Sequence, residues 1–382
     1  MNKVLITGNA AGAWAARLAK PQYIPTYPIT PQTEVIETLE LWKANGELPD
    51  SDVHQLESEH SVMSAAIAAS ATGSRTYTAT SSQGLLLMHE MLYIASGNRL
   101  PIVMNNISRG VSAPITLWSD HNDFLGCRDT GWIMLHAKNV QEVLDFTLMA
   151  FKIAEHQDVL LPVLVNMDGY ELSYTEETVD IPDQENIDSF LGVYQSDHNI
   201  SPDHKLCVGA PVMAEHYSNF KIQQYKAMEN SRDVIRQVFE EWYKLTGRSY
   251  GVVDFLPSPC ATTCLVTQGS MSTTTRYVAR KNNVATLNLP VIRPLPHKEI
   301  GAALSGFDLV GVLDRNVMPG RGGIMVQEIK SVLYNYQKMP IIESYIVGLG
   351  GIPQTEEKIK MIIDKVRNDF YYPNEIDFND VV

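Results

Sequence analysis

Three polar segments in the first quarter of the chain, at residues 27–31, 57–61 and 78–84, hold the side chains best suited to chemistry. Glu59 lies where a predicted strand gives way to a helix. A carboxylate there can transfer a proton, although such an acid is often only a helix cap. Thr30 lies between two prolines in Tyr-Pro-Ile-Thr-Pro, a sequence that suits a rigid binding loop or a plain proline-rich turn.

A cation follows these segments at Arg109, directly after an apolar run at residues 100–107. A guanidinium binds a carboxylate through two parallel hydrogen bonds. Arg109 is therefore a candidate for holding an anionic substrate, and a surface ion pair is the alternative. The apolar run favours the first interpretation, because the end of a buried strand is expected to lie at a cleft.

The elements that position these groups are predicted from hydrophobic periodicity. Short apolar runs alternate with longer helical segments, which is typical of an α/β fold with a doubly wound parallel sheet. Ligand sites of such sheets lie at the carboxyl ends of the strands. We predict a first unit over residues 1–250 and a second α/β unit over residues 257–382. From 169 to 212 the rhythm breaks, and we predict an extended excursion that contacts a partner.

Composition excludes several classes of protein. The net charge of −14 over 382 residues argues against a nucleic-acid surface. The sequence contains no run of about 18 apolar residues, so no membrane span is predicted. The N terminus lacks the apolar core of a signal peptide. Cysteines are too few for a disulfide framework, which indicates a reduced, cytoplasmic protein; they are Cys127, Cys207, Cys260 and Cys264.

The three polar segments, in this order, resemble the pyrimidine-binding domain of thiamine-diphosphate enzymes. More narrowly, the chain is similar to the alpha subunit of 2-oxoacid:ferredoxin oxidoreductases of the pyruvate synthase type. The similarity covers nearly the whole chain and is weakest from about 174 to 251; it continues through residues 97–103, 106–109, 128–132, 141–143, 161–163, 293–296, 313–316 and 319–320. It implies a thiamine-diphosphate pyrimidine-binding domain followed by a transketolase C-terminal-like α/β domain.

The resemblance also implies roles for individual residues. Glu59 is the acid that shares a proton with N1′ of the cofactor pyrimidine, which favours the imino tautomer that activates the thiazolium carbon; Glu57 is the second choice. Thr30 and Arg109 bind the substrate carboxylate. The remaining cofactor-binding residues are Tyr27, Pro28, Ile29, Ser82 and Gln83. Asp120, His121 and Asp123 could suggest a metal site, but in this context we interpret them as a loop near the active site, and we assign no metal ligand to this chain.

Two absences point to partner chains. The sequence lacks the Gly-Asp-Gly and distant Asn with which thiamine enzymes hold Mg²⁺ and the diphosphate, and it lacks cysteine runs for iron–sulfur clusters. In the family that the chain resembles, a beta subunit supplies the diphosphate and Mg²⁺ site. Gamma- and delta-type subunits or domains supply [4Fe-4S] clusters and help with coenzyme A, and ferredoxin accepts the electrons. We expect the same partners here.

The departures from the family pattern concern the substrate. Gly110 stands where relatives usually carry Ala, and residues 115–118, Ile-Thr-Leu-Trp, are bulky and apolar. They predict a 2-oxoacid larger or less polar than pyruvate. Two rival functions are a transketolase-like or 2-oxoacid dehydrogenase beta-type subunit, and a non-catalytic α/β assembly protein.

Overall fold

The computed structural model describes residues 2–195, 198–202 and 207–368. The strands in these ranges are β1 (Asn2–Ile6), β2 (Tyr23–Thr26), β3 (Asp52–Gln55), β4 (Thr76–Thr80), β5 (Ile102–Ser108), β6 (Ile133–His136), β7 (Val163–Asp168), β8 (Glu177–Ile181), β9 (Asp254–Leu256), β10 (Thr263–Thr267), β11 (Ala285–Asn288), β12 (Val291–Arg293), β13 (Leu309–Asp314) and β14 (Ile341–Ile346).

The helices are α1 (Gly8–Ala19), α2 (Thr33–Ala44), α3 (Glu59–Ala71), α4 (Ser82–Leu87), α5 (His89–Gly97), α6 (Asn122–Gly126), α7 (Val140–Ala154), α8 (Gln184–Leu191), α9 (Ala214–Thr246), α10 (Met271–Lys281), α11 (His297–Leu304), α12 (Ile324–Leu333) and α13 (Glu356–Asn368). No helix of the described ranges is long and apolar enough to span a membrane.

A seven-stranded sheet forms the centre of the first unit, in the order β12-β6-β7-β5-β4-β2-β3. Its strands run parallel except β12, which pairs antiparallel with β6. The five-stranded sheet of the second unit has the order β14-β13-β10-β11-β9, with β9 antiparallel. Helices connect the parallel strands, so the predicted α/β architecture is confirmed.

Successive residues of β5 face opposite sides of the first sheet, as strand geometry requires. Val103 and Ile107 enter one hydrophobic core with α1 and α7. Ile102 and Met104 enter a second core on the other side. That second core also contains Val266 and other side chains of the second sheet. The two units are therefore joined through a shared hydrophobic core.

The second unit also contributes a strand to the first sheet. Val291, on β12, pairs with Leu135 of β6. Nearby, Arg293 donates a hydrogen bond to the Arg128 carbonyl at 3.1 Å. Sequence periodicity did not predict this exchange, because a three-residue strand carries too little pattern to reveal its partner.

The section from 169 to 212 differs from the extended excursion predicted for it. It contains β8, which pairs antiparallel with β1, and α8, whose Ile187 and Phe190 are buried in the core. The alternating burial of β8 is too short to stand out in a polar, Asp-rich sequence. Residues 196–197 and 203–206 lie outside the described ranges, and the predicted partner contact of this section stays a prediction.

Candidate functional site

The predicted site residues follow four neighbouring strands of the first sheet, β5, β4, β2 and β3. Arg109 follows β5, and residues 81–84 follow β4. Residues 27–31 follow β2, and Glu59 follows β3. Because these strands are parallel, all four segments meet at the carboxyl edge of the sheet. Thr30 and Arg109, which are 79 positions apart in sequence, are thus brought into contact.

Glu59 is the first residue of α3, but it is not the cap of that helix. Ser58 is the N-cap, and its hydroxyl accepts a hydrogen bond from the Ser61 amide at 3.3 Å. Glu59 is buried, with 6% of the residue exposed. Among the described residues no hydrogen-bond donor contacts it. A buried acid without a donor is costly to the fold, which is typical of a group kept for a ligand.

Gly84 makes room for this carboxylate. A Cβ at Gly84 would lie 2.5 Å from Glu59 Oε1 and 2.6 Å from Thr80 Oγ1. Both distances are well below van der Waals contact, so only glycine fits here. The Thr80 hydroxyl is itself buried and without a hydrogen-bond partner among the described residues. Two unpartnered polar groups therefore face the same small space.

Glu57, the second choice for the acid, lies in a different environment. Its residue is exposed to solvent, and its carboxylate accepts a hydrogen bond from the Ser61 hydroxyl at 2.5 Å. This hydrogen bond lowers the pKa of Glu57. Glu57 is thus an ordinary surface carboxylate, and the geometry favours Glu59.

Arg109 links the other predicted segments. Its Nη1 donates to the Thr30 carbonyl at 2.6 Å, and its Nη2 donates to the Gln83 side-chain oxygen. Burial lowers the pKa of Arg109, while the charges of Asp123 and Glu59 oppose that shift. Arg109 Nε is buried and lacks a partner in the described chain. The guanidinium therefore lies near Glu59 with donor capacity to spare for an anionic ligand.

Asp123 connects the chain segments that follow β4 and β5. Its Oδ2 accepts hydrogen bonds from the Ser82 amide at 3.0 Å, the Arg109 amide at 3.3 Å and the Asn106 side chain at 3.2 Å. Burial raises the pKa of Asp123 to about 7, and the hydrogen bonds from Asn106 and from backbone amides oppose that shift. The sequence placed Asp123 near the site without this role, since an acid in a loop gives no sign of which amides it binds.

The remaining predicted cofactor-binding residues lie around the same opening. Pro28 and Thr30 are exposed, while Tyr27 and Ile29 are partly buried. The Ser82 hydroxyl donates to the Gly110 carbonyl at 2.9 Å, which ties the hydroxyl-rich turn to the end of β5. The predicted residues are thus brought together in one place, and their individual roles remain predictions.

A second polar cluster, centred on Asp168, lies where the two units meet. Asp168 ends β7, and its carboxylate accepts hydrogen bonds from His121 Nε2 at 2.6 Å and Ser270 Oγ at 2.5 Å. Arg315 of the second unit lies 3.3 Å from it. Although burial opposes ionisation, His121 and Arg315 hold the pKa of Asp168 well below its usual range.

The same cluster has the composition of a metal site. His121, His136 and Asp168 place their ligand atoms within 4.8 Å of one another. However, the Asn166 side chain already binds His136 Nε2 at 2.9 Å, and the Arg315 guanidinium repels a cation. We therefore interpret the cluster as a structural hydrogen-bond network. The sequence missed it, although an acid followed by glycine at the end of an apolar strand was a possible signal.

Comparisons with known proteins show the family of the chain. A family model described as pyruvate flavodoxin/ferredoxin oxidoreductase, thiamine diphosphate-binding, matches residues 14–240. A second, pyruvate:ferredoxin oxidoreductase core domain II, matches residues 261–359. Pyruvate synthase subunit PorA of Methanocaldococcus jannaschii is 44% identical over 95% of this chain and 94% of its own. Ketoisovalerate oxidoreductase subunit VorA of Pyrococcus horikoshii is 39% identical over 96% and 94%.

Among solved structures, the 2-oxoglutarate:ferredoxin oxidoreductase from Magnetococcus marinus superposes with a TM-score of 0.75 at 20% identity. The match covers 97% of this chain, and this chain spans 65% of the length of that one. At this identity the likeness concerns the fold, and it extends over both units.

Proposed function

The chain belongs to the pyruvate flavodoxin/ferredoxin oxidoreductase family, and from this premise we propose that it is the alpha-type subunit of a thiamine-diphosphate-dependent 2-oxoacid:ferredoxin oxidoreductase. The family resemblance predicted from the sequence is confirmed. The reaction converts a 2-oxoacid and coenzyme A to an acyl-coenzyme A and carbon dioxide, and the two electrons released reduce ferredoxin.

The observation that carries the proposal is the buried Glu59 carboxylate without a donor. Thiamine diphosphate, when bound, supplies a carbanion for attack on the 2-oxo carbon. Glu59 suits the proton-sharing role toward the cofactor pyrimidine, because Gly84 leaves it room and no donor of the described chain competes. A fixed carboxylate in a site that excludes water is an effective acid–base group. Tyr27, Ile29 and Ser82 lie around the same opening.

Arg109 and Thr30 are the proposed substrate-binding residues. Arg109 retains an unpartnered Nε near the Glu59 carboxylate, so it can neutralise the carboxylate of a 2-oxoacid. Thr30 is exposed at the rim, where its hydroxyl can add a hydrogen bond. A charged donor in a largely buried place binds an anion more strongly than it does in water.

Partner chains complete the site in this proposal. A beta subunit holds the diphosphate and Mg²⁺, and gamma- and delta-type subunits carry the [4Fe-4S] clusters and assist with coenzyme A. The cysteines of the described chain support this division, because Cys127 and Cys264 are buried singly and Cys207 and Cys260 are exposed singly. The cytoplasmic location predicted from the sequence stays a prediction.

The substrate is proposed at the level of a small 2-oxoacid, with pyruvate as the first candidate. Residues 115–118 had predicted a larger substrate. In the structure Ile115 is 72% exposed, and the Trp118 ring stacks on Tyr170 with centroids 5.2 Å apart. The stacking on Tyr170 gives Trp118 a structural role that needs no larger substrate. The prediction of a larger substrate stays open.

The test is an assay on the assembled complex. The chain, co-expressed with its neighbouring subunits and purified, should give a brown complex that contains iron and reduces methyl viologen with a 2-oxoacid in the presence of coenzyme A. Pyruvate, 2-oxoisovalerate and an aryl 2-oxoacid are compared by kcat/KM. A clear preference for the branched or aryl acid would support the larger substrate. A colourless homodimer without 2-oxoacid-dependent reduction would reject the function and favour one of the two rival classes.

A further inference from the structure

The segment at 313–316, Leu-Asp-Arg-Asn, belongs to the second unit and contributes no side chain to the cleft around Glu59. Its neighbour Val317 nevertheless contacts α6, the short helix that carries Asp123. We propose that Asn122 is a positioning residue for 2-oxoacid binding, which ties α6 to the second unit so that Asp123 holds the amides of Ser82 and Arg109 in place. This inference rests on the function proposed above.

The tie on the second-unit side uses both halves of one side-chain amide. Asn122 Oδ1 accepts a hydrogen bond from the Val317 amide at 3.0 Å, and Asn122 Nδ2 donates to the Val317 carbonyl at 3.1 Å. The His121 amide adds a third bond, to the Arg315 carbonyl, at 2.8 Å. Paired donor and acceptor contacts fix both the position and the orientation of the helix start.

The next residue, Asp123, binds the cleft and not the second unit. Asp123 is fully buried and accepts from the amides of Ser82 and Arg109. Two consecutive residues thus bind the second unit, and the third binds the catalytic cleft. The helix has only five residues, and so short a helix gains little stability from its own hydrogen bonds. Phe124 and Leu125 anchor the helix in the hydrophobic core, and the ties at its start add to the positioning of Asp123.

The segment of the second unit that binds α6 is itself held by buried polar contacts. Arg315 is 1% exposed and its Nη1 contacts Glu171 at 2.7 Å. Asn316 Oδ1 accepts from the Ile324 amide at 2.8 Å, and its side-chain nitrogen donates to Asp314 at 3.0 Å. Because residues 315–317 are held rigidly by these contacts, they fix the position of α6. In this way the second unit sets the geometry of Arg109 without contacting the substrate.

The variant Asn122→Ala removes the tie and changes no side chain of the cleft itself. In the assembled complex its KM for pyruvate should rise about 10-fold, since small displacements of a binding group have large kinetic effects. The kcat at saturation and the KM for coenzyme A should stay within about twofold of wild type. Asn122→Asp, which keeps the acceptor toward the Val317 amide, should show a smaller rise in KM.

The matched control is Arg236→Met. Arg236 on α9 also bridges the two units, through Glu299 at 2.5 Å, but it touches no residue of the cleft among the described contacts. Its KM should equal that of wild type. A second measurement, amide hydrogen exchange of the complex, should show faster exchange at Ser82 and Arg109 in Asn122→Ala only.

The outcomes separate the two proposals. An active wild-type complex with an unchanged KM in Asn122→Ala would overturn the positioning role. A parallel fall of kcat and melting temperature in both variants would overturn it as well, because that pattern reports general destabilisation. A wild-type complex inactive with every 2-oxoacid would reject the proposed function, while the exchange rates would still decide whether Asn122 holds the cleft.

Discussion

Glu59 and Asp168 are two buried acids at the carboxyl edge of the same sheet, after β3 and β7, and their surroundings differ in hydrogen-bond donors. Asp168 is fully buried and accepts hydrogen bonds from His121, Ser119 and Ser270. Glu59 is almost as deeply buried, yet the described chain offers it no donor. Glycine at position 84 leaves free the space beside the Glu59 carboxylate that a Cβ would occupy.

The difference separates a structural acid from a functional one. A buried charge costs several kcal/mol unless it is paired and hydrogen-bonded. At Asp168 the fold supplies the partners itself, from both units. At Glu59 the fold supplies the nearby charge of Arg109 but no hydrogen-bond donor, which is expected where a ligand supplies the missing partner. Changes at Glu59 should therefore affect activity, and changes at Asp168 should affect stability.

The largest effect is expected for Glu59→Gln. The amide keeps the size of the side chain but cannot accept a proton, so turnover should fall roughly 100- to 10,000-fold. The melting temperature of the complex should change little, because the described chain makes no hydrogen bond to the Glu59 carboxylate that the variant would lose. Viologen reduction and calorimetry on the same preparation measure both quantities.

Glu57→Gln is the control for this variant. Glu57 is exposed and two residues away, so its variant should retain near-normal turnover. The reverse result, an active Glu59→Gln complex and an inactive Glu57→Gln complex, would transfer the acid role to Glu57.

Asp168→Asn should have the opposite effects, a large loss of stability and a small loss of turnover. It leaves the buried Arg315 with one fewer counter-charge and turns an amide NH₂ toward existing donors. Breaking a buried charge pair typically costs about 3–5 kcal/mol, so the melting temperature of the complex should fall by several degrees. The kcat at saturating 2-oxoacid should fall far less than in Glu59→Gln. A complex with wild-type stability would show that Asp168 is not structural.

Gly84→Ala tests the space beside Glu59 with one methyl group. The new Cβ would lie 2.5 Å from Glu59 Oε1, so the carboxylate must move. We expect kcat to fall roughly 30- to 100-fold, because a shift of about 1 Å in a catalytic group has effects of this size. Gly97→Ala is the matched control, since a Cβ there meets nothing within 4 Å; it should be neutral. Equal activity of the two variants would argue against a tight fit around Glu59.

The same contrast explains how much the sequence could predict. The run at residues 100–107 was predicted as a buried strand whose end lies at a cleft, and the structure forms β5 there. Because parallel strands bring their carboxyl ends together, the meeting of Glu59 with Arg109 followed from their order along the chain. The resemblance to a known family supplied their roles.

Features that depend on distant partners were not predictable. Asp168 and Arg315 are 147 positions apart, and nothing in either segment reveals the other. In the first half of α9, Tyr217 and Phe220 are exposed, so this half offers little of the apolar periodicity from which a helix is predicted. Local sequence patterns predict buried faces and turns. Contacts between the two units depend on how whole helices and strands are arranged, which no local pattern predicts.

The smallest effect is the pH dependence that the Asp168 cluster adds to stability. Burial lowers the pKa of His121 from 6.5 to about 4, with Asp168 opposing that shift. The unfolded chain binds a proton at His121 below pH 6.5, while the folded chain stays neutral there. The contribution of His121 to stability is therefore fully present above pH 6.5 and is lost as the pH falls toward 4. Asp168, whose folded pKa is depressed, titrates only at lower pH.

Between pH 7 and pH 5 the loss from His121 should be on the order of 1–2 kcal/mol. The apparent melting temperature of the complex, measured across this range, should fall less steeply in His121→Asn than in wild type. His60→Asn, at an exposed histidine on α3, should leave the slope unchanged. If all three slopes coincide, His121 is protonated alike in both states, and the cluster around Asp168 is more open to solvent than its hydrogen bonds imply.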